Sequence, residues 1–229
     1  MAGVAAPKAS TLVAPSDPLH VTAGADRFVG RGGHKLDGAL AEFSVDVAGR
    51  TALDAGASTG GFTDCLLQRG ARSVVAVDVG YGQLHWDLRT DPRVTVIERT
   101  NLRYLDPAAV GAPFAIVVAD LSFISLRVVA PVLAACGDDT SDWLVLVKPQ
   151  FEVGPDRVPR GGVVIDAGDR ADAVAGVVAA FAEYKLAPQG VTASSIKGAS
   201  GNLEFMLWMR HESQALDPEE VRRRVEEEG

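Results

Sequence analysis

Three runs of consecutive apolar residues most strongly constrain how this chain folds. They lie at residues 74–77, 115–118 and 144–147. A strand with one face in solvent alternates apolar and polar residues, whereas a strand covered on both faces is apolar at successive positions. Segments with helical periodicity separate these runs, which favours parallel strands joined by helices. The pattern therefore predicts an α/β fold, Rossmann-like, with a mostly parallel sheet between two layers of helices.

The same periodicities predict seven strands and four helices. The strands are expected near 51–54, 73–78, 94–97, 114–119, 143–148, 189–196 and 204–209, and the helices near 35–43, 61–69, 125–135 and 169–185. A turn-like segment, 198–202, precedes the last strand and favours a short antiparallel return. Near the carboxyl end, Asp217, Pro218 and Glu220 have the order of an N-cap, a first-turn proline and an N3 glutamate, which predicts a charged terminal helix.

Length and charge divide the chain into three expected parts. The 229 residues are 47% apolar, which suffices for one domain with a substantial core. Residues 1–26 are expected to be a linker or the remnant of an N-terminal module, 27–210 the domain, and 211–229 an acidic helical tail. Half of the formal net charge of −8 lies in that tail, which holds seven acidic residues and three arginines. So little net basicity predicts weak binding of nucleic acid.

The cysteines and the first residues bear on the cellular compartment. Cys65 and Cys136 are too few for a disulfide framework, and neither has a second cysteine or a histidine at metal-ligand spacing. The first 25 residues contain no continuous apolar run, so neither a signal peptide nor a membrane span is expected there. We therefore expect a cytoplasmic protein that is soluble, does not enter membranes and holds no metal.

The strongest local motif is the glycine-rich segment 51–63. An apolar strand ends at Asp54, small residues follow, and Phe62 begins a helix. In an open α/β sheet ligands bind beyond the carboxyl ends of the strands, and glycines there let the backbone approach them. The segment has neither the G-x-G-x-x-G spacing of dinucleotide sites nor the lysine of a phosphate-binding loop. The alternative is a tight strand-to-helix turn that binds nothing.

A second acidic residue makes the nucleotide assignment more specific. Asp78 ends the next strand, 24 residues after Asp54, where a carboxylate can accept both ribose hydroxyls. An acidic residue at the start of the loop suits a cationic ligand with an amino-acid moiety. The two together predict the S-adenosylmethionine site of a class I methyltransferase. The expected cofactor contacts are Asp54, Gly56, Ala57, Ser58, Thr59, Gly60, Gly61, Phe62, Asp78, Val79, Asn101 and Asp120.

Four charged residues are expected at the edge of the sheet where reacting groups gather. Asp120 and Lys148 each end a strand, Glu204 opens the last strand, and Lys35 begins the first helix. Any one of them alone is more often a surface ion-pair partner or the cap of a strand. All four beside a cofactor loop favour a catalytic group.

Five segments resemble the TlyA family, also called hemolysin A, whose members are FtsJ-like ribosomal RNA 2′-O-methyltransferases. The segments are RGGHKL at 31–36, LDAGASTGGFT at 53–63, DVGYGQL at 78–84, DLSFIS at 120–125 and VKPQFE at 147–152, and the resemblance covers about residues 27–210. It implies that S-adenosyl-L-methionine is the cofactor and that a cytidine ribose 2′-hydroxyl in 16S or 23S ribosomal RNA accepts the methyl group. The implied partner is ribosomal RNA or a ribosomal subunit.

The family's Lys-Asp-Lys-Glu tetrad falls on Lys35, Asp120, Lys148 and Glu204. In one interpretation Lys148 orients the hydroxyl and removes its proton, the two carboxylates hold Lys148, and Lys35 sets the electrostatics. Flanking carboxylates oppose deprotonation of a lysine. In the other interpretation Lys148 therefore steers the oxygen and stabilises its developing charge, while the proton leaves late or to water.

The resemblance leaves two further expectations and two alternatives. Family members carry an RNA-binding domain before this core, to which only residues 1–26 can correspond here, so weak RNA affinity is again predicted. The long connection 151–168, with Arg157 and Arg160, is expected to act as a lid or clamp. A small-molecule O-methyltransferase with the same cofactor site is one alternative. A membrane-active protein is the other, and the absence of a spanning segment from the sequence disfavours it.

Overall fold

A seven-stranded sheet forms the centre of the molecule in the computed structural model, which describes residues 26–211 and 215–228. The strand order is β3-β2-β1-β4-β5-β7-β6. The first five strands in this order are parallel, and β7 is antiparallel to both β5 and β6. The strands are β1 (Thr51–Ala55), β2 (Ser73–Val77), β3 (Val94–Ile97), β4 (Ile116–Ala119), β5 (Asp142–Val147), β6 (Ala187–Ala193) and β7 (Phe205–Arg210). The predicted fold class, the seven strands and the antiparallel return are confirmed.

Helices cover both faces of this sheet. They are α1 (Gly32–Glu42), α2 (Gly61–Gln68), α3 (Trp86–Arg89), α4 (Leu126–Ala134), α5 (Pro149–Glu152), α6 (Ala167–Ala182) and α7 (Pro218–Glu227). The four predicted helices and the terminal helix are confirmed. The sequence did not indicate α3 and α5, because a helix of four residues makes only about one turn and shows no periodicity.

The apolar runs are buried on both faces of the sheet, as their pattern predicted. Every residue of β4 and of β5 is buried. Successive side chains of a strand point to opposite faces, and accordingly Val117 packs in one core with α4 and α6, while Val118 packs in another with α1 and α2. The central strands thus hold the two helical layers together.

The terminal helix α7 packs onto the domain. Its Val221 and Val225 are buried in the same core as α4 and α6. The Asp217 side chain accepts a hydrogen bond from the Glu219 backbone amide, which confirms the predicted N-cap. This packing, which the sequence did not indicate, adds α7 to the layer that covers the sheet. The expected linker, residues 1–26, lies outside the described residues apart from Asp26.

The strand directions gather the candidate residues at one edge of the sheet. The loops that follow the parallel strands β1, β2, β4 and β5 leave from their carboxyl ends. Because β7 is antiparallel, its first residue, Phe205, pairs with Val147 at the end of β5. Lys148 and Glu204 are therefore neighbours at this edge, although one follows a strand and the other precedes one.

Candidate functional site

The glycine-rich loop after β1 is compact because glycines allow contacts that a side chain would block. Gly56 has a φ of +87°, and a Cβ there would lie 2.6 Å from the Asp120 carbonyl oxygen. Gly60 has a φ of +100°, and its Cβ would lie 2.2 Å from a methyl carbon of Leu88 in α3. Both positions are in the left-handed region that favours glycine. The loop therefore fits tightly between β4 and α3 and leaves a concave surface above it.

Asp78 ties the loop after β2 to this glycine-rich loop. One carboxylate oxygen accepts a hydrogen bond from the Ser58 backbone amide at 2.8 Å, and the other accepts from the Gly80 amide at 2.6 Å. Ser58 itself has a φ of 48°, which is uncommon for a residue other than glycine. Each carboxylate oxygen has two acceptor sites, so Asp78 retains acceptor capacity beyond these two bonds.

Three of the cavities that the described residues form at this edge are lined by members of the predicted tetrad. We call them the large cavity of about 840 Å³, the inner cavity of about 210 Å³ and the side cavity of about 450 Å³. Of the residues predicted to bind the cofactor, Gly56, Ser58, Asp78, Val79, Asn101 and Asp120 line the large cavity. Ala57, Thr59, Gly61 and Phe62, together with Gly56, Ser58 and Asp120, line the inner cavity. The structure thus brings ten of the twelve predicted cofactor residues to two neighbouring cavities.

The other two lie elsewhere: Asp54, in β1, lies beneath the loop, and Gly60 is a buried residue of the loop itself. Asp54 is fully buried and accepts a hydrogen bond from the Thr63 hydroxyl at 2.6 Å. The pKa of Asp54 is raised to about 7, chiefly by burial; the bonds to Thr63 oppose this rise and the nearby carboxylates of Asp120 and Asp78 contribute to it. In this conformation Asp54 supports the loop from inside and lines none of the three cavities.

Lys148 lies where the inner and side cavities meet, and lines both. Its Nζ lies 2.7 Å from a carboxylate oxygen of Asp120 and donates to the Ser122 hydroxyl at 2.9 Å. The Lys148 side chain is nine-tenths buried and that of Asp120 four-fifths, so the ion pair is shielded from solvent on most sides. Asp120 lines the large and inner cavities, which places this ion pair between the predicted cofactor residues and the side cavity.

Lys35 and Glu204 form a second buried ion pair in the wall of the side cavity. Lys35 Nζ donates to a Glu204 carboxylate oxygen at 2.5 Å, and both side chains are almost fully buried. Lys35, Lys148 and Glu204 all line the side cavity. The four residues of the predicted tetrad therefore form two ion pairs around one site.

Ser122 and Phe123 lie at this site, and the predicted site residues did not include them. Ser122 lines all three cavities and Phe123 lines the large and side cavities. Phe123 is 92% exposed, has a φ of 65°, and its ring centroid lies 5.4 Å from that of Phe151. Such strain in a non-glycine residue is found preferentially at functional sites. The sequence gives no sign of this exposure, because most phenylalanines are buried.

The loop that carries Ser122 is anchored by α5. The buried carboxylate of Glu152 accepts from the Ser125 hydroxyl at 2.6 Å and from the Leu126 amide at 2.7 Å. Burial raises the pKa of Glu152 above its ordinary value, and these donors act against that rise. Glu152 thereby joins the loop after β4 to the short helix that follows Lys148.

The connection after α5 differs in part from the expected clamp. Residues Pro155–Arg157 form a turn of 3-10 helix, and Arg157 lies 2.9 Å from a carboxylate oxygen of Asp169 and 2.7 Å from one of Asp172. This guanidinium is therefore bound to α6. Arg160 is exposed.

Asn101, which was expected near an adenine, caps the short helical turn Leu102–Tyr104. Its side chain accepts a hydrogen bond from the Arg103 amide at 3.0 Å, and the residue also lines the large cavity.

No group of three or more histidine, cysteine, aspartate or glutamate side chains in residues 26–211 and 215–228 is arranged to hold a metal ion. Within these same ranges, no helix is both long and apolar enough to cross a membrane.

Known proteins resemble this chain in sequence and in structure. The chain is 54% identical over 209 residues to the 16S/23S rRNA (cytidine-2′-O)-methyltransferase TlyA of Mycobacterium tuberculosis, covering 91% of this chain and 78% of that protein. It is 47% identical to the putative rRNA methyltransferase YqxC of Bacillus subtilis, covering 92% of this chain and 77% of that protein. A solved structure of a putative hemolysin from Streptococcus thermophilus superposes with a TM-score of 0.83 at 38% identity, covering 88% and 74% of the two chains.

A sequence model of a protein family also matches this chain, over a range that contains all seven strands of the sheet. The model for FtsJ-like methyltransferases matches residues 28–211, which include both ion pairs and all three cavities. This chain therefore belongs to the FtsJ-like methyltransferase family.

Proposed function

We propose that this protein transfers a methyl group from S-adenosylmethionine to a ribose 2′-hydroxyl of ribosomal RNA in the cytoplasm. The observation that carries the proposal is the position of Lys148, which is ion-paired with Asp120 where the inner and side cavities meet. A group so placed can contact a methyl donor on one side and an acceptor oxygen on the other. The similarity to the 16S/23S rRNA (cytidine-2′-O)-methyltransferase of Mycobacterium tuberculosis supports the choice of acceptor.

The large and inner cavities suit the proposed cofactor. Asp78, Val79 and Asn101 would hold its adenosine half in the large cavity, with Asp78 accepting from the ribose hydroxyls. The glycine-rich loop and Asp120 would hold its methionine half in the inner cavity, where a Cβ at Gly56 would collide with the backbone. When bound, S-adenosylmethionine supplies an electrophilic methyl group on a positively charged sulfur.

In the proposed reaction Lys148 positions the acceptor. Its ammonium group donates to the acceptor oxygen, holding a lone pair in line with the methyl carbon, and alignment of this kind supplies a large part of the rate enhancement. Asp120 fixes the ammonium group through their ion pair, and the proton of the hydroxyl passes to water. Lys35 and Glu204 shape the far wall of the side cavity, which we assign to the acceptor.

A labelling experiment tests this proposal. The protein and methyl-labelled S-adenosylmethionine are incubated with unmethylated ribosomal subunits, with naked ribosomal RNA and with a panel of small metabolites. We expect label in RNA, at a position that resists alkaline hydrolysis because the 2′-oxygen is blocked. Label found only in metabolites would favour a small-molecule methyltransferase, and no transfer to any acceptor, despite cofactor binding, would contradict the proposal.

Lys148→Ala is the decisive variant. We expect it to lower methyl transfer about 100-fold or more, as removal of an oriented electrostatic group does, while S-adenosylmethionine still binds. Calorimetric titration with S-adenosylmethionine measures whether cofactor binding is retained. Lys185→Asn is a matched control, since it removes a lysine charge at an exposed position whose φ of 61° asparagine tolerates. Full turnover by Lys148→Ala would refute the assignment.

A further inference from the structure

Asn202 is a buried polar residue to which the proposed reaction gives no part. Its side chain is fully enclosed, and both ends of its amide bind the same stretch of backbone. Oδ1 accepts from the Val164 amide at 2.9 Å, and Nδ2 donates to the Gly162 carbonyl oxygen at 2.8 Å. A buried amide bonded in this way has one permitted orientation, because the reversed amide would face donor with donor and acceptor with acceptor.

The stretch that Asn202 holds forms the outer wall of the side cavity. We call residues 158–164 the strap; its Val158 and Gly162 line that cavity. Within the strap the Gly162 amide bonds to the Pro159 carbonyl at 2.9 Å, which closes a turn on itself. In the described part of the chain, the Val158 amide bonds to the Pro155 carbonyl just before the strap, and the hydrogen bonds that join the strap to a segment distant in sequence are the two with the Asn202 side chain.

The segment that carries Asn202 also carries the second ion pair. Glu204, two residues later, holds Lys35, and the Asn202 carbonyl accepts from the Gly198 amide at 2.9 Å. A Cβ at Gly198 would lie 2.3 Å from a carboxylate oxygen of Glu204, so this turn is closely fitted around the carboxylate. Asn202 therefore connects the strap to the same rigid turn that positions Lys35 and Glu204.

We propose that Asn202 is a positioning residue that fixes the strap as the outer wall of the acceptor site and thereby determines how well the acceptor binds. The inference rests on the proposed function, because it takes the side cavity as the acceptor site. Asn202 itself also lines the side cavity, but its side chain is almost fully buried and its amide is bonded to the strap, so in this assignment it acts on the acceptor through the strap. Its loss is expected to weaken the acceptor complex and to leave the cofactor site, on the other side of Lys148, unchanged.

Asn202→Ala and Asn202→Asp test the kinetic part. We expect the KM for ribosomal RNA to rise about tenfold in Asn202→Ala, as loss of a buried hydrogen-bonded pair predicts, with little change in kcat. Asn202→Asp keeps an acceptor for Val164 and loses the donor to Gly162, so its KM should rise similarly. The dissociation constant of S-adenosylmethionine should stay at the wild-type value in both variants. A fall in kcat with unchanged KM, or weakened cofactor binding, would overturn the proposal.

Limited trypsin digestion tests whether Asn202 holds the strap, and it does so independently of any activity. Arg160 lies within the strap and is exposed, so the bond after it is cleaved once the strap leaves the turn. We expect cleavage there to be several times faster in Asn202→Ala than in the wild type, with the remaining sites unchanged. Equal cleavage would show that Asn202 does not hold the strap. If cleavage accelerates and the KM for RNA stays the same, the strap is not the wall of the acceptor site. If the wild type methylates no RNA, the proposed function fails, and the cleavage result still shows whether Asn202 holds the strap.

Discussion

Asp54 makes the stability of the folded protein depend on pH. Its pKa is raised to about 7 in the folded state, chiefly by burial, against an ordinary value of 3.8. Between these two values the folded state holds a proton that the unfolded state has released, so stability falls as the pH rises from about 4 to 7 and then levels off. This single group accounts for a loss of roughly 4 kcal/mol over that window.

The Asp54→Asn variant isolates this effect. Asparagine keeps an acceptor for the Thr63 hydroxyl and cannot ionise, so its free energy of unfolding should lack the fall between pH 4 and 7 that the wild type shows. Urea unfolding at pH 4, 5, 6 and 7 measures the difference. Asp139→Asn, at a side chain that is 92% exposed, should leave the wild-type pH profile unchanged. Parallel profiles for the wild type and Asp54→Asn would contradict this prediction.

Gly56→Ala is expected to abolish the cofactor site. The new Cβ would lie 2.6 Å from the Asp120 carbonyl oxygen, and since that atom belongs to the backbone the loop itself must shift. We expect S-adenosylmethionine to bind at least about tenfold more weakly, measured by calorimetric titration. Gly111→Ala is the matched control: its φ of +88° is nearly the same as that of Gly56, and nothing lies within 4 Å of its Cβ. Equal losses in both variants would mean that backbone strain, and not the collision, decides the result.

Residue types and positions at strand ends made most of the site predictable. Asp120 and Lys148 end adjacent strands, so the topology of an open parallel sheet brings them together. The sequence does not show which carboxylate pairs with which lysine: Asp120 bonds to Lys148 and Glu204 to Lys35. The sequence also does not show how deeply a residue is buried: Asp54 was expected to contact the cofactor, but it lies beneath the loop.

Among the elements, α7 makes a specific contribution to stability. Its outer face carries arginine–glutamate pairs that are mostly in solvent, and such pairs contribute little. Its attachment to the domain depends on Val221 and Val225, together with a half-exposed ion pair between Arg222 and Asp172 of α6. We expect Val225→Ala to lower the free energy of unfolding by about 1–3 kcal/mol, because two buried methyl groups are lost and a cavity remains.

A comparison with Val128→Ala completes this prediction. Val128 lies on α4 and is 44% exposed, so its truncation should cost well under 1 kcal/mol. Both values are obtained from urea unfolding followed by circular dichroism. If Val225→Ala unfolds like the wild type, α7 does not share the cooperative unit of the domain.

Helices and strands were predictable from the sequence where their pattern of apolar or capping residues extended over four or more residues. Runs of four or more apolar residues marked the central strands, and the Asp-Pro-Glu-Glu start marked α7. The packing of α7 was not predictable, because its sequence is mostly charged and only two valines face the core. The connection 151–168 was expected to act as a lid or clamp, and the attachment of the strap within it through a single asparagine cannot be seen from composition.

The charge distribution of the whole molecule predicts weak binding of naked RNA. Most arginines of the described chain are already paired with carboxylates, among them Arg27, Arg50, Arg69, Arg89, Arg93 and Arg157. With a net charge of −8, few cations remain for phosphate contacts. We expect a dissociation constant weaker than about 1 µM for naked ribosomal RNA at physiological salt, with a shallow dependence on salt concentration.

Filter binding across a series of salt concentrations measures both quantities. A parallel assay with unmethylated ribosomal subunits shows whether a folded acceptor compensates through shape and additional contacts. Nanomolar binding to naked RNA with a steep salt dependence would contradict the prediction, because it would require a basic face that these ion pairs do not leave.

The antiparallel β7 also determines when during synthesis the site becomes complete. Lys35 and its partner Glu204 are 169 residues apart in the chain, so this ion pair closes one of the longest loops in the molecule. The residues that line the large cavity, by contrast, all lie within the first 128 residues of the chain. A growing chain therefore contains the whole lining of the large cavity before it contains Ala199, Ser200 and Glu204 of the side cavity. The proposed reaction thus requires a chain whose synthesis has passed Glu204.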